Sequence, residues 1–71
     1  MSKDAKKYMN AVVVILMKKF DMPEIEAYKA VKNSFLYDSL IMFPDESIHD
    51  DIETNAAFVY QDYISGQLLE M

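Results

Sequence analysis

Hydrophobic residues recur at helical spacing in the first segment of the chain, from about Lys3 to Lys19. The lysines that end the segment suit the negative end of a helix dipole, whereas those near its start do not. The run AVVVILM is rich in β-branched residues and is also compatible with a buried strand, but the helical pattern around it favours a helix. Two adjacent faces carry the apolar side chains, with Tyr8, Val12, Ile15 and Leu16 on one and Met9, Val13 and Met17 on the other.

A second helix is predicted in DMPEIEAYKAVKNSF, which carries helix-start signals. Asp21 and Glu24 stand at capping-box spacing, and Pro23 lies in the first turn, where its missing N–H costs nothing. The near-helical recurrence of apolar residues predicts a core-facing side formed by Ile25, Tyr28, Val31 and Phe35. The opposite, solvated side is expected to carry Glu24, Glu26, Lys29 and Lys32.

The rest of the chain predicts one short element and one long helix. LYDSLIMF fits a two-turn helix or an edge strand that ends before Pro44, and we favour the helix. Ser47 and Asp50 have capping-box spacing at the start of the long helix, although Asp replaces the usual Glu or Gln. Gly66 is expected to end this helix and to leave QLLEM as a tail. One apolar stripe follows steps of three and four residues through Ile48, Ile52, Ala56, Val59 and Tyr63.

Turn-forming residues are scarce, with one Gly and two Pro in 71 residues, so helix is expected nearly throughout. We therefore predict a single all-α domain over residues 1–71, a small bundle of three to four short helices. A domain of this size buries only about 60% of the surface of its extended chain. This chain nevertheless carries six Met, five Tyr and four Phe. We expect an exposed apolar surface that binds a partner or a second copy. Met9, Met17, Met22 and Met42 could form an adaptable surface of this kind, but we expect them in the core.

Charge is distributed unevenly along the chain. Residues 1–35 hold all seven lysines and four acids, whereas residues 36–71 hold eight acids and no Lys or Arg. The total is −5 and there is no arginine. Nucleic-acid binding is disfavoured, because proteins that bind DNA or RNA usually present clustered Lys and Arg.

The N-terminal segment does not fit a targeting or membrane element. Its apolar run AVVVILM is far shorter than the roughly 20 residues that span a bilayer. Asp4 comes early, and Lys-Lys-Phe follows the run where a signal peptide would have small residues. The absence of cysteine also fits a reducing compartment. We expect a cytoplasmic protein that does not bind membranes.

The only histidine, His49, lies among five carboxylates within nine residues: Asp45, Glu46, Asp50, Asp51 and Glu53. His49 and Glu53, four residues apart, could share a metal, but a stable site needs three or four protein ligands, and no second His or Cys is present. Calcium-loop spacing is absent, and no Ser stands in a Gly-flanked elbow that could pair with the histidine. We interpret the cluster as the acidic first turn of a helix and predict no catalytic residue, metal, cofactor or small-molecule substrate.

The five carboxylates remain candidates for contacting a protein partner, because they would attract a basic surface. Tyr60 is a further candidate. It falls off the apolar stripe of the last helix and is expected to face outward with Phe58 or Gln61. Exposed aromatic residues often anchor interfaces.

The stretch FLYDSLIMF and the following SIHDD carry seven residues of a loose pattern: Leu36, Tyr37, Asp38, Leu40, Ile41, Ile48 and His49. With these residues the chain resembles, over about residues 20–64, a family of short bacterial helical domains of unknown function. The chain departs from the family pattern at Phe35, where a Gly is usual, and just after His49. That family has no established activity, so the resemblance implies a helical fold and no site.

These observations predict a small soluble intracellular protein-interaction or regulatory module without catalytic activity. We expect it to self-associate as a homodimer. The alternative is an antitoxin-like or accessory inhibitor that binds a basic enzyme surface through its acidic C-terminal half.

Overall fold

The computed structural model describes the backbone of residues 1–69 and the side chains of residues 1–66. Within these residues the chain forms five helices and no strand, and the first helix contacts each of the other four. This confirms the predicted small all-α bundle. The described part of the chain has five helices where three to four were predicted, because a one-turn helix lies between the third helix and the last. The helices are α1 (Lys3–Lys19), α2 (Glu24–Lys32), α3 (Phe35–Met42), α4 (Pro44–Ser47) and α5 (Ile52–Leu69).

Helix α1 forms the centre of the bundle, and the strand alternative for AVVVILM is wrong. Ser2 caps the helix, its Oγ accepting a hydrogen bond from the backbone N–H of Ala5 at 3.2 Å. Buried residues recur in adjacent pairs one turn apart, which is the pattern of a helix and not of a strand. They are Ala5, Tyr8, Met9, Val12, Val13 and Leu16.

The predicted capping box at the start of α2 is wrong. Pro23 occupies the N-cap position, and no side chain caps this helix. Asp21 instead reverses the chain after α1 with a φ of 57°, in the left-handed region that a short polar residue tolerates better than most. The Leu16 carbonyl accepts hydrogen bonds from the N–H groups of Phe20 at 3.2 Å and Met22 at 3.3 Å. Asp21 thus lies in the turn that ends α1 and does not cap α2.

Helix α2 is rotated relative to the prediction. Of the four residues expected in the core only Val31 is buried, whereas Ile25 is 69% exposed, Tyr28 45% and Phe35 48%. Ala27 and Ala30 take their place in the core. Small side chains let two helix backbones approach closely, so the alanine side of α2 packs inward and the larger side chains lie outside. The predicted solvated side, Glu24, Glu26, Lys29 and Lys32, is exposed.

The C-terminal half follows the predicted pattern except at its boundaries. LYDSLIMF is helical, and Leu36 and Leu40 are its buried residues. Gly66 does not end α5, which continues to Leu69, because this glycine does not adopt the positive φ of a helix stop. Of the predicted tail, residues 70 and 71 lie outside the described residues. The apolar stripe is confirmed: Ala56 and Val59 are fully buried, and Ile48, Ile52 and Tyr63 pack against the core.

The methionines divide between core and surface. Met9 and Met22 are buried and Met17 packs against the core, as predicted, but Met42 is 69% exposed. Among residues 1–69, no helix has both the length and the apolar character needed to cross a membrane.

Candidate interaction surfaces

The five candidate carboxylates lie on α4, on the start of α5 and on the turn between them, and all five are exposed. Asp45 and Glu46 stand in the first turn of α4, and Glu53 in the first turn of α5. Asp50 and Asp51 lie in the turn directly before α5. These are the positions where a helix dipole and free N–H groups favour negative charge. The interpretation of this segment as a helix entrance agrees with these positions.

Asp51 caps α5, so the predicted cap formed by Ser47 and Asp50 is wrong. The Oδ2 atom of Asp51 accepts hydrogen bonds from the backbone N–H of Thr54 at 3.0 Å and from the Thr54 hydroxyl at 2.6 Å. Ser47 is buried at the end of α4. The sequence signal for the true cap is Asp51 directly before Ile52, with Thr54 three residues on.

The same contacts lower the pKa of Asp51 below its ordinary value of 3.8, through the Thr54 side chain first, then the Thr54 N–H and the charge of Lys19. A carboxylate with a lowered pKa in the folded state stabilises the fold above its unfolded pKa. That contribution is lost as the pH falls through the lower, folded value.

Replacing Asp51 by alanine is therefore expected to lower the melting temperature by a few degrees at neutral pH, because the first turn of α5 loses its cap. Asp51→Asn should retain most of the stability, since asparagine caps a helix about as well as aspartate. Circular dichroism melts at pH 7 and between pH 4 and pH 2 measure both effects. The gap between wild type and Asp51→Ala should narrow at acid pH. Asp50→Ala serves as control, and an equal loss in that variant would contradict the assignment of the cap to Asp51.

The basic and acidic halves of the chain meet within one molecule at the junction of α1 and α5. Lys19 Nζ lies 3.0 Å from Glu53 Oε1, with both side chains more than half exposed. An exposed pair of this kind contributes little to stability. It shows that Lys19, from the basic half of the chain (residues 1–35), contacts the acidic segment (residues 45–53).

His49 is exposed at the centre of the acidic segment. Among the described residues, no three His, Asp or Glu side chains are grouped so that they could hold a metal ion.

Tyr8 joins α1 to the turn before α5 and to α5 itself through two hydrogen bonds that the sequence pattern did not predict. Its hydroxyl donates to the backbone carbonyl of Asp50 at 2.9 Å and accepts from Asn55 Nδ2 at 2.8 Å. Burial is the main cause of a raised pKa for Tyr8, with smaller contributions from the charges of Asp50 and Asp51. A tyrosine on an apolar helix face is itself the available signal, because a buried hydroxyl needs a partner.

The prediction that Tyr60 faces outward is wrong. Its ring is half-buried and stacks on Phe20, with the centroids 4.2 Å apart and the planes 20° from parallel. Its neighbours Phe58, at 49%, and Gln61 are exposed instead. The stacked pair borders a shallow groove of about 410 Å³, lined by Phe20, Ala57, Tyr60, Gln61, Ile64 and Ser65. Tyr60 is thus primarily a packing residue between α1 and α5, and its ring contributes one wall of this groove.

A second apolar surface lies on the outer side of α3 and next to it. Three of its side chains lie on its outer side, Phe35 at 48% exposure, Ile41 at 49% and Met42 at 69%. Phe43 follows at 56%, and Phe58 of α5, at 49%, contacts the Phe35 ring edge to face with a centroid distance of 6.5 Å. We call these five residues the α3 face. The predicted exposed apolar surface thus includes Phe35 and Met42, which were expected in the core.

Comparison with protein-family models, with curated proteins and with solved structures found no match to this chain. The resemblance described above therefore rests on its seven residues, and it supplies neither an activity nor a partner.

Proposed function

We propose that this chain is a small cytoplasmic protein-interaction or regulatory module without catalytic activity, and that it self-associates. The observation that carries the proposal is the α3 face. Of the eight residues of α3, six are apolar and only Asp38 is charged. A helix that is hydrophobic on all sides is normally buried. Here only Leu36 and Leu40 are buried in the bundle, which leaves an apolar side for another surface to cover.

Self-association is tested by light scattering over a wide range of protein concentration, at low and at high salt. We expect a mass that rises from that of the 8.2 kDa chain toward twice this value. High salt should preserve or strengthen the association, because the contact is apolar and each copy carries a net charge of −5. A mass that stays monomeric at millimolar concentration in both salts would contradict the proposal.

A second candidate function, an inhibitor or accessory protein for a basic enzyme surface, is favoured by one local feature. Met42 and Phe43 share a hollow of about 220 Å³ with Pro44 and two of the candidate carboxylates, Asp45 and Glu46. An apolar anchor beside two negative charges suits a basic partner with an apolar contact of its own. Such a complex would weaken as salt rises, in contrast to the apolar dimer. Purification from the native cell at low salt, followed by identification of any stoichiometric enzyme, tests this second function.

A further inference from the structure

We infer that the α3 face is the surface on which a second copy of this chain docks, with α3 of one copy against α3 of the other about a two-fold axis. This inference rests on the proposed self-association and specifies where it occurs. Phe35 and Met42 are seven residues apart, so they lie two helical turns apart on the same side of α3, separated by about 10.5 Å. Ile41 lies beside Met42, and exposed Asp38 stands between the two ends. The helix thus presents an apolar ridge with one charge near its middle.

The area of the α3 face fits a dimer. Its five side chains are between 48% and 69% exposed. Since a fully exposed side chain of this size has roughly 150–250 Å², the face amounts to roughly 500 Å² of exposed side-chain area. Two copies would together bury about 1,000 Å², which is near the lower limit for a specific interface.

The charge on the face distinguishes a second copy from a basic partner. Within α3 itself the only charge is Asp38, and residues 36–71 contain neither Lys nor Arg. A two-fold axis near the middle of α3 places the Asp38 carboxylates of the two copies near each other, where they repel. Neutralising this residue by Asp38→Asn is therefore expected to tighten self-association severalfold. A basic partner would instead lose an attractive charge, so the same substitution would weaken its binding.

The location of the interface is tested by sedimentation equilibrium on wild type, Met42→Glu and the matched control Ile25→Glu. Met42 and Ile25 are each 69% exposed, and both lie on helices, so the two variants add the same charge and remove a similar apolar side chain. We expect Met42→Glu to weaken dimerisation at least tenfold and Ile25→Glu to change it less than twofold. The like-charge pair with Asp38, four residues earlier, destabilises the folded monomer only slightly. Thermal melts of each variant check that the fold is retained.

Phe58→Gln provides an independent variant on a different helix, should Met42→Glu fail to fold. Phe58 is 49% exposed and contacts Phe35, so its loss should also weaken dimerisation. If wild type dimerises and all folded variants dimerise equally well, self-association stands but the α3 face is not its site. If wild type does not dimerise at all, the proposed self-association itself fails. Weaker association of Asp38→Asn than of wild type would overturn the two-fold arrangement.

Discussion

Replacing Leu16 by alanine is expected to lower the free energy of unfolding by about 2–5 kcal/mol. Leu16 is fully buried in α1, the helix that contacts all the others. The substitution removes buried apolar surface and leaves a cavity that the surrounding helices can only partly close. A domain of this length has a total stability of about 4–10 kcal/mol, so the variant should unfold at much lower urea concentration. Urea denaturation followed by helical circular dichroism measures the change.

Val14→Ala is the matched control for Leu16→Ala. Val14 lies on the same helix but is 45% exposed. Its truncation leaves no cavity, and alanine has the higher helix propensity, so the change in unfolding free energy should stay within about 0.5 kcal/mol. Equal losses in the two variants would show that α1 is not packed as described.

Tyr8→Phe is expected to lower the free energy of unfolding by about 1–3 kcal/mol, although it preserves the ring and its apolar contacts. The loss arises because the Asp50 carbonyl loses a donor and Nδ2 of Asn55, a residue only 8% exposed, loses its acceptor. A buried polar group without a partner carries the full cost of its desolvation. Urea denaturation of the variant at pH 7 measures this loss.

Tyr28→Phe provides the control, because it makes the same chemical change at a residue that is 45% exposed. Its removal should leave stability almost unchanged. A double-mutant cycle between Tyr8→Phe and Asn55→Ala then isolates the hydrogen bond, with a coupling of about 0.5–3 kcal/mol expected for groups in one network. Additive effects of the two substitutions would contradict the network.

The same network predicts a change of stability in alkaline solution. The pKa of Tyr8 is raised above its ordinary value of 10.0, mainly by burial. A neutral group with a raised pKa contributes its stability fully below the unfolded pKa and loses it as the pH rises through the folded value. The difference in stability between wild type and Tyr8→Phe should therefore narrow above about pH 10. Melts from pH 8 to pH 11 measure this trend.

Local patterns in the sequence determined most of the helical segments of this protein. The periodicity of α1 and the stripe through Ala56 and Val59 identify core faces, because both sets recur at the spacing of one helical turn. The acidic segment was likewise recognised as a helix entrance, since negative charge is favoured where backbone N–H groups are free. In each case the signal lies within a few residues and does not depend on what the helix packs against.

Where the sequence left two residues or two roles possible, only the tertiary structure shows which one occurs. Ile25, Tyr28 and Ala27 could each face inward from α2, and in the folded bundle Ala27 is the buried residue. Asp21 could cap α2 or reverse the chain after α1, and the hydrogen bonds to the Leu16 carbonyl show the second outcome.

The candidate surfaces depended on tertiary packing in the same way. Tyr60 is half-buried because its ring stacks on Phe20, which belongs to a distant part of the sequence. The hydrogen bonds of Tyr8 to Asp50 and Asn55 likewise join residues more than 40 positions apart. Composition predicted an apolar surplus, but only the folded chain shows which apolar side chains are exposed, including the five of the α3 face. The physical reason is that spacing along a chain fixes which side chains share a helix face. The space left by neighbouring helices decides which of those faces is buried.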